Sequence, residues 1–128
     1  MEAIANTATQ IDPEHRRRLI RKGRQFLETF QKLDPEMPLQ QMLTLIEVAM
    51  ASEAGISISD LAVRVGNATS STSRNVAILG EHGRGKSKGL EVVKATVDPS
   101  DRRYQLVKLT PKGERVIDQL AAVMAQGA

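Results

Sequence analysis

The sequence has 128 residues, of which 41% are hydrophobic and 26% charged, as is typical of one soluble globular domain. It contains no cysteine and only two histidines, so disulfide frameworks, thiol chemistry and cysteine-ligated metal sites are excluded. The N-terminus lacks a basic start followed by an apolar core, and no apolar run is long enough to span a membrane. We therefore expect a single domain over residues 1–128, located in the cytoplasm and without a membrane partner.

The net charge is only +3, but the charges are unevenly distributed. Residues 13–24 carry six bases and one acid, residues 25–68 carry six acids and two bases, and residues 69–128 carry ten bases and six acids. This segregation favours a surface that binds a polyanion. Because aromatic residues make up only 2% of the chain, a protein that stacks single-stranded bases is disfavoured, and double-stranded DNA is the expected partner.

Two amphipathic helices are predicted first. Asp12-Pro13 combines a capping residue with a proline that fits the first helical turn, and it predicts a helix over 13–33. The apolar stripe of this helix is expected to be buried and comprises Leu19, Gly23, Phe26, Leu27, Phe30 and Leu33. A second helix is predicted from Leu39 to about Met50, with Gly55 as a plausible stop.

A short helix, a turn and a polar helix follow. Ser57 and Asp60 have the spacing of a capping box, which predicts a third helix ending near Gly66. The next segment, from Thr69 to about Glu81, is rich in serine and threonine, and its apolar positions come late. Residues 57–81 therefore read as two helices joined by a tight turn.

The last third of the chain predicts a loop, a hairpin and a closing helix. Residues 80–89 form a basic loop with four glycines, and residues 90–109 contain two β-rich segments separated by Asp98-Pro99-Ser100-Asp101, which is turn chemistry. Thr110-Pro111 begins an amphipathic helix over 111–126. The predicted fold class is mainly α with a small β-hairpin (α+β).

Two stretches carry a resemblance to a known family. DLAVRVGNATSSTSRNVAIL, residues 60–79, resembles a helix-turn-helix with the pattern L-A…G…S-x-x-S-R. DPSDRRYQLVKLTPKG, residues 98–113, is similar to the wing signature D-x-R…L-T-x-x-G of the MarR family of bacterial transcriptional regulators. The resemblance implies a winged helix-turn-helix with N- and C-terminal dimerisation helices, and a homodimeric regulator of transcription that binds DNA.

The resemblance also implies roles for individual residues. The fourth helix would enter the major groove, and a wing arginine, Arg103, would reach into the minor groove with Asp101 as its holder. The expected DNA-binding residues are Thr69, Ser70, Ser71, Ser73, Arg74 and Asn75 on this helix and Asp101, Arg102 and Arg103 on the wing. The charge of the glycine-rich loop, and not the resemblance, adds its bases Arg84, Lys86 and Lys88 as phosphate contacts. The expected dimerisation residues are Leu19, Phe26, Phe30, Ile117 and Leu120.

The sequence departs from the family pattern at two places. The segment GEHGRGKSKG separates Leu79 from Leu90 where the family usually has a short glycine turn, and it looks like an insertion. Less chain follows the closing helix than the family uses for dimerisation, which leaves the dimer geometry open. The sequence also does not decide whether a small-molecule effector binds, since no residue indicates a site for one.

Two alternatives remain beside this interpretation. Residues 80–87 match G-x-x-x-x-G-K-[ST], the pattern of a phosphate-binding loop, and Val76–Leu79 would be the strand before it. This pattern would make the chain a small nucleotide-binding protein. Against it, the sequence predicts no parallel sheet to carry the loop. The basic residues 13–24 are also compatible with a helix on a membrane surface or against a protein partner. No paired carboxylates suggest acid–base catalysis, so we expect no enzymatic activity, no cofactor and no metal.

Overall fold

The computed structural model describes residues 11–81 and 88–126. In chain order the elements are α1 (Pro13–Leu33), α2 (Leu39–Met50), β1 (Ile56–Ser57), α3 (Ile58–Val65), α4 (Thr69–Leu79), β2 (Val93–Asp98), β3 (Asp101–Leu109) and α5 (Pro111–Ala125). The three strands form one antiparallel sheet in the order β1-β3-β2. The predicted α+β class is confirmed.

The predicted helix starts follow from local capping chemistry. The Asp12 carboxylate accepts hydrogen bonds from the Glu14 and His15 amides, at 3.2 and 3.3 Å. The Ser57 hydroxyl accepts one from the Asp60 amide at 3.1 Å and so begins α3. These caps satisfy amides that have no partner within the helix, which is why the chain turns into a helix at these positions.

The core lies between the helices and one face of the sheet. Its completely buried members include Phe30 of α1, Leu45 of α2, Leu61 of α3, Leu79 of α4 and Val107 of β3. Phe26 lies against Phe30 with its ring edge-on, at a centroid distance of 5.6 Å. A single core thus joins all the helices to the sheet, which fixes α4 relative to the β2–β3 hairpin.

Two of the five expected dimerisation residues are buried within the described chain. Phe30 is completely buried and Leu120 of α5 is 3% exposed, so these two side chains do not lie on a surface that a partner could contact, contrary to the expectation. Leu19, Phe26 and Ile117 are half-buried. The periodicity of a helix reports that a stripe is buried, and here α1 packs that stripe largely against its own chain.

The other side of α1 was misassigned for the same reason. Leu27 is 53% exposed and Gly23 is also exposed, although both had been placed in the buried stripe. Ile20 is 69% exposed. Apolar residues therefore lie on two faces of α1, and only one of these faces is covered by the described chain.

Two features of the strands differ from the prediction. The first hairpin strand begins at Val93 rather than Leu90, because residues 90–92 bond to the end of α4 instead. Strand β1 was not predicted; Ile56 and Ser57 pair with Val107 and Leu106 of β3. Helix α2 ends at Met50, as predicted, and Gly55 follows it in the turn before β1.

Gly55 has its own role in the turn before β1. Its φ of +95° is unfavourable for other residues, and a Cβ there would come within 2.9 Å of the Val107 carbonyl oxygen.

No helix in the described ranges, 11–81 and 88–126, is long and apolar enough to cross a membrane.

Candidate nucleic-acid interface

Helix α4 has one buried face and one polar face. Thr72, Val76 and Leu79 are buried at intervals of four and three residues, and the Thr72 hydroxyl donates to the Ala68 carbonyl at 2.9 Å. The remaining side chains of the first two turns comprise the exposed Thr69, Ser70, Ser73 and Arg74 and the half-buried Ser71 and Asn75. The structure thus leaves all six predicted α4 residues outside the core.

The N-terminal end of α4 is open to solvent. Ala68 holds the capping position, and no side chain of the described residues bonds to the first-turn amides there. The Arg74 guanidinium donates to the Ser71 hydroxyl at 3.2 Å across one turn of the helix. Free amides and the positive end of the helix dipole favour an anion at this end, and Arg74 adds a full charge beside it.

The turn before α4 sets its direction relative to α3. Gly66 ends α3 with a φ of +68°, in the left-handed region that glycine adopts without strain. The Asn67 amide donates to the Ala62 carbonyl at 3.0 Å, which ties the turn back onto α3. These contacts hold α4 as the second helix of a helix-turn-helix, as predicted.

The tip of the hairpin is a tight turn closed by side chains. Asp98 and Asp101 are paired in the register of the strands, and the Asp98 carboxylate accepts from the Ser100 hydroxyl at 2.7 Å and from its amide at 2.9 Å. These two hydrogen bonds lower the pKa of Asp98 below its ordinary value. The turn chemistry predicted for residues 98–101 is confirmed.

Arg103 is held by Asp101 at the hairpin tip. The guanidinium Nε donates to one carboxylate oxygen at 3.0 Å and Nη2 to the other at 2.8 Å, while the Arg103 amide donates to the first oxygen at 3.1 Å. The hydrogen bonds from the Arg103 guanidinium and from the Arg103 backbone amide lower the pKa of Asp101, and the Asp101 carboxylate raises the pKa of Arg103. The geometry is the bidentate holder expected from the sequence.

This pair remains available to a ligand. The Arg103 side chain is 81% exposed, and its guanidinium carbon lies 5.7 Å from the centre of the Tyr104 ring. The neighbouring Arg102 is exposed as well. An oriented guanidinium at the end of a narrow hairpin can enter a groove that a helix cannot enter.

A cleft of about 230 Å³ lies between α4 and the hairpin strands. Ser73 lines its α4 side, and Lys94 of β2 and Gln105 of β3 line its hairpin side. All three residues are exposed. Lys94 and Gln105 were not predicted as binding residues, because their approach to Ser73 depends on how the hairpin packs against α4 and leaves no local pattern in the sequence.

The predicted basic loop is closed at its base. The Gly89 amide donates to the Glu81 carbonyl at 3.1 Å, and the next three amides, those of residues 90–92, donate to the last carbonyls of α4 and to Gly80. Lys88 is exposed and pairs with Glu91 at 3.3 Å. Arg84 and Lys86 lie outside the described residues.

The same region contradicts the nucleotide-binding alternative. That reading requires Val76–Leu79 to be a strand that leads into the glycine-rich loop, but these residues form the last turn of α4. The only sheet of the described chain is antiparallel, and Val76–Leu79 are not part of it. Within residues 11–81 and 88–126, no cluster of three or more potential metal ligands occurs.

The amino-acid sequence matches no protein-family model and no curated protein. Several solved structures are nonetheless similar to the fold. The S. aureus MepR–DNA complex has 19% identity and a TM-score of 0.64, over 83% of this chain and 75% of MepR. RV1404 from Mycobacterium tuberculosis has 22% identity and a TM-score of 0.65, over 95% of this chain and 71% of that protein.

The PcaV transcriptional regulator from Streptomyces coelicolor, solved with its natural ligand, has 24% identity and a TM-score of 0.55 over 91% of this chain and 77% of PcaV. These structural neighbours are MarR-family regulators. The three similarities cover 83–95% of this chain. The chain therefore has the winged-helix fold of the MarR-family regulators.

Proposed function

We propose that this protein is a regulator of transcription that binds double-stranded DNA as a homodimer. The observation that carries the proposal is that two elements lie side by side in the fold. One is the polar helix α4, whose N-terminal end has no side-chain cap, and the other is the β2–β3 hairpin, on which Asp101 orients Arg103. The DNA complex of MepR, which has the same fold, supports this function. The proposed binding elements are α4 and the β2–β3 hairpin, which we call the wing.

In the proposed complex α4 lies in the major groove. Its small serine side chains let the helix backbone approach the groove floor, and Arg74 reaches either a guanine edge or a phosphate. The wing lies beside the backbone, so that Arg103 enters the adjacent minor groove and Arg102 contacts phosphate. Lys94 and Gln105 line the cleft next to α4, where they can contact the DNA strand that passes between helix and wing.

The direct test of this function is selection of bound duplexes from a library of random sequence. A two-fold dimer places its two reading helices about 34–36 Å apart, one turn of DNA. We therefore expect the selected sequences to contain an inverted repeat with half-sites separated by about one helical turn, and sedimentation to show a dimer both free and bound. Recovery of sequences without any enriched motif would contradict the proposal.

Arg74→Ala separates base reading from phosphate anchoring. A bidentate contact to a base is worth about 1–3 kcal/mol of preference at one base pair, whereas a phosphate contact carries no sequence preference. We expect Arg74→Ala to weaken binding about tenfold or more and to relax the preference at one position of each half-site, as measured by competition with single-base variants of the selected site.

Arg115→Ala is the matched control, since this exposed arginine lies on α5 and belongs to neither α4 nor the wing. It should leave both the affinity and the sequence preference unchanged. If Arg74→Ala behaves like this control, α4 is not the element that reads the DNA.

A further inference from the structure

A short segment links the end of α4 to the start of α5. Residues 89–92, which we call the strap, lie between the last turn of α4 and the first turn of α5. The two helices have little direct contact, because α5 packs mainly against α1 whereas α4 packs against α2 and α3. The strap therefore connects two helices that belong to different parts of the fold.

The strap amides bond to the end of α4. Leu90 donates to the Ile78 carbonyl, Glu91 to the Gly80 carbonyl and Val92 to the Leu79 carbonyl, at 3.0, 2.9 and 2.8 Å. The last carbonyls of a helix have no partner within that helix. The strap supplies partners for them and thereby holds the C-terminal end of α4.

The strap carbonyls bond to the first turn of α5. The Thr110 hydroxyl donates to the Glu91 carbonyl at 2.6 Å, and Lys112 Nζ donates to the Leu90 carbonyl at 2.8 Å. The Thr110 amide donates to the Val92 carbonyl at 3.1 Å. Each of residues 90–92 thus bonds to α4 through its amide and to α5 through its carbonyl.

The backbone conformation of the strap is also unusual. Glu91 has a φ of +60°, and among the described residues no other non-glycine residue has a positive φ. This left-handed conformation is unfavourable for a residue with a Cβ and persists only where surrounding contacts hold it. Here hydrogen bonds on both sides and the complete burial of Val92 hold it. The strap therefore has one defined geometry that depends on both helices.

We propose that Thr110 and Lys112 of α5 position α4 for DNA reading through the strap. Helices α2 and α3 support the side of α4, and the strap supports its C-terminal end. The two supports together set the angle at which α4 projects from the fold. The proposal rests on the DNA-binding function proposed above, and it adds to that function two residues that belong to neither α4 nor the wing.

Thr110→Val tests this role, because it removes one hydroxyl and no charge. Base contacts depend on the angle of the helix, whereas phosphate contacts carry no sequence preference. We expect affinity for the selected duplex to fall about tenfold, the loss of roughly one base contact, and affinity for random duplex to stay unchanged. Thr110→Ser keeps the hydroxyl and should bind like the wild type. Fluorescence anisotropy with both duplexes measures these affinities.

Asp12→Ala is the matched control for stability. The Thr110 hydroxyl also accepts from the Gly113 amide at 3.0 Å, so Thr110→Val removes a helix cap. Asp12→Ala removes a cap of the same kind at the start of α1. Each change should lower the melting temperature by about 3–6 °C, but only Thr110→Val should weaken specific binding. Equal weakening by Asp12→Ala would assign the effect to stability and overturn the proposal.

Lys112→Met removes the second side-chain bond from α5 to the strap. We expect it to weaken specific binding and to leave binding to random duplex unchanged. If Lys112 instead contacts a DNA phosphate, both duplexes will bind more weakly and the dependence of affinity on salt will decrease. That outcome would overturn the positioning role of Lys112.

Hydrogen exchange of the free protein tests the strap without DNA. Thr110→Val should speed exchange of the amides of residues 90–92 and of the last turn of α4, and exchange in α3 should stay unchanged. Unchanged exchange at the end of α4 would overturn the proposal. A sequence-selective wild type whose Thr110→Val variant binds equally well would overturn the positioning role alone, whereas a wild type that selects no duplex sequence would contradict the proposed function itself.

Discussion

Gly113→Ala should destabilise the fold by about 3 kcal/mol, which lowers the melting temperature by about 10 °C. A Cβ at this position would overlap the Val92 carbonyl oxygen and would lie 3.2 Å from Leu109 Cδ2. Val92 cannot easily yield, because its amide donates to the Leu79 carbonyl at 2.8 Å and its own carbonyl accepts from the Thr110 amide at 3.1 Å. Urea and thermal unfolding followed by circular dichroism would measure the loss.

Arg115→Ala, two residues along the same helix, is the control for this change. Its side chain is exposed and has no described ion-pair partner, so the free energy of unfolding should change by less than about 0.5 kcal/mol. Equal stability of Gly113→Ala and Arg115→Ala would mean that the 88–92 segment moves away from α5 at little cost, contrary to the hydrogen bonds that hold it.

Arg103→Ala should weaken DNA binding by about ten- to a hundredfold, or about 1.4–2.8 kcal/mol, with almost no change in melting temperature. The Arg103 side chain is largely exposed, so it contributes little to the core. In the proposed complex its guanidinium enters a narrow minor groove, where negative potential is concentrated. Arg103→Lys should recover only part of the affinity, because an ammonium is more strongly hydrated and lacks the planar fork.

Substitution of Asp101 tests whether this carboxylate orients Arg103 for DNA binding. Asp101→Ala removes a negative charge near DNA, and simple charge counting predicts tighter binding. We expect weaker binding instead, because the carboxylate holds Nε and Nη2 of Arg103. Asp101→Asn, which keeps an acceptor for the Arg103 amide, should fall between the wild type and Asp101→Ala. Tighter binding by Asp101→Ala together with unchanged binding by Arg103→Ala would exclude the wing from the interface.

The direction of the Asp101 pKa shift sets the pH range of these measurements. The Arg103 pair lowers the pKa of this carboxyl, so the pair is fully formed above the ordinary carboxyl pKa and is lost only as pH falls through the lowered value. Binding measured near neutral pH therefore compares fully ionised pairs, and a difference between variants there does not arise from protonation of Asp101.

Features that depend on near neighbours in the chain were predictable from the sequence. The caps at Asp12 and Ser57 join residues two or three positions apart, and the Asp101–Arg103 pair spans only two. Residue type and spacing are sufficient to specify such contacts, since the backbone leaves few other arrangements. The same locality explains why the turn at residues 98–101 was placed correctly.

Features that depend on packing were not predictable in this way. The apolar spacing of Phe30 and Leu120 indicated burial, but it did not indicate that their own chain would bury them. Residues 90–92 have strand-like composition, yet their amides bond to the end of α4. In the sequence Gly113 was only one residue of a motif. The physical reason for a glycine at this position is its close contact with the Val92 carbonyl, which belongs to a segment 21 positions earlier in the chain.

The hydrogen bond between the Gly89 amide and the Glu81 carbonyl, 3.1 Å long, has a consequence for engineering the protein. It brings the two ends of the intervening segment together, so any peptide spliced between them starts and finishes at nearly the same point. The entropy of closing such a loop grows only slowly with length, by about 0.6 kcal/mol for each doubling. A fluorescent tag or an affinity peptide inserted between Glu81 and Gly89 would therefore begin and end next to α4, and it need not move the wing relative to α4.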